Sequence, residues 1–201
     1  NSLADDRKAR AALMRAKFIT VLPDGDDNWY INSPVDKKSR YNDYIEELMR
    51  LVEKKYPVSS DRKHRGLSGW SMGGYGCTMF AEAHPDQFSA LAPIIALLDY
   101  PREGLPKKQS YPVQTKCFGR DQAVWKKFNP INNITKLKNM KLLIITGKKC
   151  FTLTMNRNFV AGLKQENIPV RYEEVDGGHS FTVVIVALSR IVEFMNQTIT
   201  I

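Results

Sequence analysis

Cysteine and histidine are scarce, three of each in 201 residues, and the shortage excludes several chemistries at once. Cys77, Cys117 and Cys150 are odd in number, far apart and without metal-ligand spacing. They argue against a disulfide framework and against a metal site. Long apolar runs are missing too: no stretch reads as a membrane span and nothing at the N-terminus reads as a signal peptide, so a soluble chain without membrane contact is expected. Internal repeats and low-complexity tracts are absent. Acidic residues are few, 21 against 30 Lys and Arg, for a net charge of +9. The excess is scattered as pairs (Lys37-Lys38, Lys54-Lys55, Lys107-Lys108, Lys126-Lys127, Lys148-Lys149) with no nucleic-acid motif beside them, so no nucleic-acid partner is expected. A positive field of this kind favours anionic small molecules instead. What remains has the composition of an ordinary globular protein. The length fits a single domain, residues 1–201, with a sizeable core.

The informative stretch is Gly69-Trp70-Ser71-Met72-Gly73-Gly74. G-x-S-x-G is the spacing of a nucleophile elbow, in which a serine stands on a sharp turn between a strand and a helix with its hydroxyl clear of the backbone. Glycines two residues to either side leave room for the strand and helix to approach. The helix that follows aims its free N–H groups and positive dipole end at the place where an oxyanion forms. The motif alone is weak, because turns use both residue types. Its surroundings decide: His64 to Ser68 reads as a short strand, and Tyr75, Met79, Phe80 and Ala83 fall at helical spacing before His84-Pro85 stops the helix.

The remaining pattern alternates. Asn1 to Lys17 predicts a helix, and Phe18-Ile19-Thr20-Val21-Leu22 predicts a buried strand closed by Pro23-Asp24-Gly25. Tyr41 to Tyr56 predicts an amphipathic helix ended by Pro57. Phe88 to Leu98 predicts a second buried strand, followed by a long irregular segment, Asp99 to Leu137, with one short helix near Gln122 to Lys127. Lys141 to Gly147 is the clearest strand. Met155 to Gln165 predicts a helix, Val170 to Val175 a last strand, and Phe181 to Met195 a closing helix. Such alternation argues an α/β fold with a mainly parallel sheet flanked by helices, its site at the carboxyl ends of the strands. Ser71, the Gly147–Phe151 turn and His179 all fall at such ends.

A serine hydroxyl needs a base within hydrogen-bond reach. His64 begins the elbow strand, at the wrong end of the sheet, and His84 stops the elbow helix at its far end. His179, in a Gly-Gly-His-Ser turn after the last strand, is the candidate. Its bland reading is an ordinary surface-turn histidine.

Taken together, Val21-Leu22-Pro23-Asp24-Gly25, Asn28-Trp29-Tyr30-Ile31-Asn32-Ser33-Pro34, the elbow through Gly76 and Asp176-Gly177-Gly178-His179-Ser180 resemble the esterase-D-like "putative esterase" group of α/β-hydrolases. That group includes feruloyl and acetyl xylan esterases, tributyrin esterases and S-formylglutathione hydrolases. The resemblance implies an α/β-hydrolase-type fold and a cofactor-free carboxylesterase, with Ser71 as nucleophile, His179 as base and the Met72 N–H as an oxyanion donor. The sequence departs from the pattern in two places. Cys150 stands where the family's aspartate is expected; Asp176 is the nearest substitute acid in sequence, with Asp121 and Glu174 remoter, although Asp176 also reads as a plain turn-former. The strand whose loop completes the oxyanion hole is not found, so the chain reads as N-terminally incomplete, beginning just after that loop. Trp29, Tyr30, Trp70 and Trp125 are candidates for lining an aromatic acyl or sugar site, or for satellite core. The alternative is a degenerate relative that binds a carbohydrate or acyl ligand without turning it over.

Overall fold

The computed structural model describes residues 3–199. In chain order its elements are α1 (Arg7–Leu13), α2 (Tyr41–Lys55), β1 (Gly66–Trp70), α3 (Met72–Ala83), β2 (Ala90–Ile94), α4 (Thr115–Phe118), α5 (Gln122–Phe128), β3 (Lys141–Gly147), α6 (Leu153–Gln165), β4 (Arg171–Val175) and α7 (Phe181–Thr198). The four strands form one parallel sheet in the order β1-β2-β3-β4.

Period-2 alternation of apolar side chains divides the core between the faces of this sheet. Leu142 and Ile144 point one way, into a cluster with Leu91, Phe80, Phe159 and Leu163, which seats α3 and α6. Leu143 and Ile145 point the other way, among Ile94, Val183, Ala187 and Ile191, which seats α7. β2 is buried at every position, as a central parallel strand covered on both faces must be. Each fully buried Leu, Ile or Val contributes about 1.5–3 kcal/mol of hydrophobic stabilisation. α1 packs on α7, through Ala9, Ala12 and Leu188.

By length and composition α7 could span a bilayer, a property the sequence reading missed. Its apolar residues Val183, Val184, Ala187, Leu188, Ile191, Val192 and Met195 are buried inside the protein, so the helix is used as core. A third cluster, of Trp29, Tyr75, Tyr100, Phe118, Trp125 and Met155, lies under the long segment between β2 and β3. That segment is pinned from within. The Asp99 carboxylate, fully buried, accepts from Asn129 Nδ2 at 3.1 Å, Asn158 Nδ2 at 2.8 Å and Arg102 Nη1 at 2.9 Å.

Two expectations fail at the N-terminal end. The first helix is only seven residues long, and Asn1 and Ser2 lie outside the described residues. Residues 18–22 form no strand, and Ile19, Val21 and Leu22 are exposed. A strand needs a hydrogen-bonded neighbour, and among the described residues this run has none. Among the described residues β1 pairs only with β2, and its other edge borders a cavity of about 1250 Å³. Residues 18–24 line the same cavity. α2 has no buried residue, although it is strongly amphipathic, because Ile45, Leu48, Met49 and Val52 border the same space.

Candidate active site

β1 delivers Ser71 at its carboxyl end. The residue takes φ 55°, ψ −118°, a conformation that costs a non-glycine residue about 1–3 kcal/mol and that the surroundings must impose. Two backbone bonds hold it: Ser71 N–H donates to Ile94 C=O at 3.0 Å, and Ser71 C=O accepts from Tyr75 N–H at 3.0 Å as the N-cap of α3. The glycines around it are unequal. A Cβ on Gly69 would lie 2.2 Å from the Gly73 carbonyl oxygen, and one on Gly74 would lie 2.5 Å from Ala96 Cβ. A Cβ on Gly73 would meet nothing nearer than Tyr30 at 4.0 Å. The crossing of strand and helix therefore depends on Gly69 and Gly74; the second motif glycine is not needed for room here, because it faces the open side.

His179 reaches this hydroxyl from the turn after β4. Ser71 Oγ and His179 Nε2 are 2.8 Å apart, so residues 108 positions apart in sequence meet in one hydrogen bond. The turn is tied to the loop after β3: Lys148 N–H donates to Val175 C=O and Lys149 N–H to Gly177 C=O, each at 2.8 Å. Gly147 is required for that contact, since a Cβ there would lie 2.6 Å from the Gly177 oxygen. The same loop places Cys150 behind the ring, its Sγ 3.2 Å from His179 Nδ1 and 3.0 Å from Thr152 Oγ1. The result is a continuous chain, Ser71–His179–Cys150–Thr152. Burial pushes the Cys150 thiol up, opposed by the hydroxyls of Thr152 and Thr146, which favour the ionised form. Burial pushes His179 down, and no charged partner opposes it.

The other acids stand elsewhere. Asp176 is solvent-exposed and bonds Lys148 Nζ at 2.8 Å, which holds its carboxyl below the usual range. Its place in sequence is close to His179, but the two glycines that follow turn the chain away from it. Asp121 caps α5, accepting from Ala123 N–H at 2.8 Å. Glu174 takes both Arg157 Nε and Arg157 Nη2, at 2.7 and 2.8 Å. His64 lies in a turn before β1, and His84 is the C-cap of α3.

The aromatic candidates divide. Trp125 is buried, with its indole N–H on Gly119 C=O at 3.1 Å. Trp29 is buried and stacked on Tyr100, with ring centroids 4.6 Å apart. Both are core, because the long segment folds over them. Tyr30 lines the cavity, its ring so close to Gly25 and Gly76 that neither could carry a Cβ. Trp70 stays near the site, 6.5 Å from the His179 ring. Sequence reasoning missed Phe151, whose ring is 4.5 Å from His179, and Tyr111, stacked on Phe151 at 5.7 Å and exposed. Phe151 was legible as the neighbour of Cys150; Tyr111, inside an irregular segment, carries no local signal. Met72 opens α3, directly after Ser71, so its N–H has no partner within the helix.

Such an arrangement can activate an alcohol and stabilise a nearby oxyanion. Residues 5–195 match the family model described as "Putative esterase". An acetyl esterase of Caldicellulosiruptor saccharolyticus is 27% identical over 181 residues, covering 84% of this chain and 68% of that protein. Among solved structures, the fluorophosphonate-binding serine hydrolase F of Staphylococcus aureus superposes with a TM-score of 0.77 at 27% identity, covering 93% of this chain and 74% of its own. A ferulic acid esterase superposes at 0.70 and 24% identity, over 84% of this chain and 64% of its own, a likeness of fold. The chain thus spans about two thirds to three quarters of the length of these relatives.

Proposed function

The chain belongs to the "Putative esterase" family of carboxylic ester hydrolases, and from that premise we propose that it cleaves small acyl or feruloyl-type esters through an acyl-enzyme on Ser71. The 2.8 Å contact between Ser71 Oγ and His179 Nε2 carries this reading. Nε2 removes the hydroxyl proton as Oγ attacks the ester carbonyl. The oxyanion then develops beside the Met72 N–H and the positive end of α3. Collapse expels the alcohol, which takes the proton from Nε2 and leaves the acyl group on Ser71. Water, deprotonated by the same nitrogen, releases the carboxylic acid and restores the serine.

The acyl or alcohol portion lies against Tyr111, Phe151 and Trp70, a partly exposed aromatic wall beside the imidazole. Aromatic acyl groups, including carbohydrate-linked ones, suit such a wall. A second reading, a relative that binds such a ligand without turnover, is favoured by one observation: a buried thiol stands where the triad logic asks for a carboxylate.

p-Nitrophenyl acetate hydrolysis with Ser71→Ala as control separates the two. The first reading expects turnover that Ser71→Ala abolishes, and a fluorophosphonate adduct on Ser71 by mass spectrometry. Equal rates in the two proteins, with no adduct, would retire it in favour of the second.

A further inference from the structure

Thr152 is fully buried, and its hydroxyl has one hydrogen-bond partner among the described residues, Cys150 Sγ. A buried hydroxyl left without an acceptor is costly, so this O–H donates to the sulfur. Thr146 adds to the pattern. Its Oγ1 is buried and has no hydrogen-bond partner among the described residues, yet its hydroxyl favours ionisation of the same thiol. A carboxylate in place of Cys150 would only accept, and so would fix a proton on Nδ1 of His179. A thiol both donates and accepts, weakly in each direction. With Thr152 donating to Sγ, the S–H is left to point at Nδ1, and the imidazole proton then stands on Nε2, facing Ser71. In that tautomer Nε2 has no lone pair for the serine proton.

We propose that Thr152 is a positioning residue that sets the hydrogen-bond direction along Thr152–Cys150–His179–Ser71, so that His179 becomes a base only after this chain has lost one proton. In the step, the Nε2 proton leaves to bulk base and the S–H proton passes to Nδ1; hydroxide takes up one proton and becomes water. The product is a thiolate accepting from Nδ1–H and from the Thr152 hydroxyl, with Nε2 free to accept from Ser71. This rests on the esterase reading above for its consequence, not for its geometry.

Among the described residues no ion pair involves the sulfur or the ring. Lys148, Lys149 and Asp176 on the adjoining loops are exposed, and Lys148 and Asp176 bond each other. Arg157 on α6 and Glu174 on β4 are paired with each other. α6 has no acidic residue in its first turn, nor does α7, whose first charged residue is Arg190, engaged by Glu173. On α3 the buried Glu82 lies at the opposite end of the helix from Ser71.

The tests are the pH dependence of kcat/KM toward p-nitrophenyl acetate and the ring ¹⁵N spectrum of His179, assigned with His179→Gln. The native protein is expected to gain activity with pH along a limb that Cys150→Asp removes, leaving that variant active near neutrality. Thr152→Val, which keeps the side chain's shape, withdraws one donor from the thiolate. It should lower the rate at pH 8 about tenfold and move the limb upward by about one pH unit, while Thr152→Ser restores it. The ¹⁵N spectrum should report the Nε2–H tautomer at pH 7 and Nδ1–H above the limb. An Nδ1–H tautomer at pH 7, or a limb that Thr152→Val leaves in place, would overturn the proposal. The expected spectrum in a protein that hydrolyses no ester would instead sink the esterase reading and leave the hydrogen-bond direction standing.

Discussion

Cys150 shows how much a single side chain carries at the residue scale. Its Sγ is within hydrogen-bond distance of His179 Nδ1, the nitrogen that an acid holds in a Ser-His-acid triad. The difference lies in charge: a neutral thiol lends an imidazolium no electrostatic support. In the Ser-His-Asp proteases the amide in place of that acid costs about 10⁴ in kcat, which sets the scale of what is at stake here. Glu82 is the residue-scale feature unconnected with the site. It is buried on α3 with neither carboxylate oxygen hydrogen-bonded, and burial drives its carboxyl well above the usual range, only partly opposed by Lys136. A carboxyl whose folded-state value is raised favours folding below its unfolded value and costs stability as pH rises above it. Glu82→Gln is therefore expected to raise the melting temperature at pH 7, by about 1–3 kcal/mol of unfolding free energy, with the gain fading below about pH 4. Thermal unfolding at the two pH values checks this; an equal gain at both would refute the assignment of a costly buried acid.

At the element scale, the elbow is a steric junction. Gly69 on β1 and Gly74 on α3 let a strand and the following helix cross in contact, while Gly73 faces the open side. Gly69→Ala is expected to lose about 3 kcal/mol or more of stability, because its Cβ would overlap fixed backbone rather than a movable side chain. Gly73→Ala is expected to fold normally and gain up to about 1 kcal/mol, since alanine is the better helix former. Urea unfolding of the two variants decides; equal losses would show that the gap beside Gly73 is filled in solution. β3 was readable to the residue from its run of apolar residues between a polar stretch and Gly147, and α6, β4 and α7 nearly so. The run 18–22 was not, although its β-branched composition is as strong. Propensity states what a segment is suited for, and pairing decides whether it becomes a strand.

Across the whole molecule, order is distributed unevenly. β2 and β3 are covered on both faces and hydrogen-bonded on both edges, whereas among the described residues β1 is paired on one edge only and α2 has no buried residue. Amide hydrogen exchange by mass spectrometry is expected to leave β2 and β3 the slowest segments. α2 should exchange far faster than α7, despite comparable length and amphipathicity. Comparable protection of α2 and α7 would mean that the cavity of about 1250 Å³ is closed in solution.

The sequence by itself determined the α/β alternation and the serine at its elbow. It also singled out one histidine of three and marked the cysteine that stands beside it. Each is written in local spacing, which is set by the periods of helix and strand and by the sterics of glycine. Only the tertiary structure decided what lies beside what: that Asp176 faces solvent while Thr152 touches the thiol, that Trp29 and Trp125 are core while Phe151 lies against the imidazole with Tyr111 stacked on it, and that residues 18–22 form no strand. Those outcomes depend on contacts between segments far apart along the chain, and such contacts follow from how the sheet stacks its strands, which no local pattern encodes.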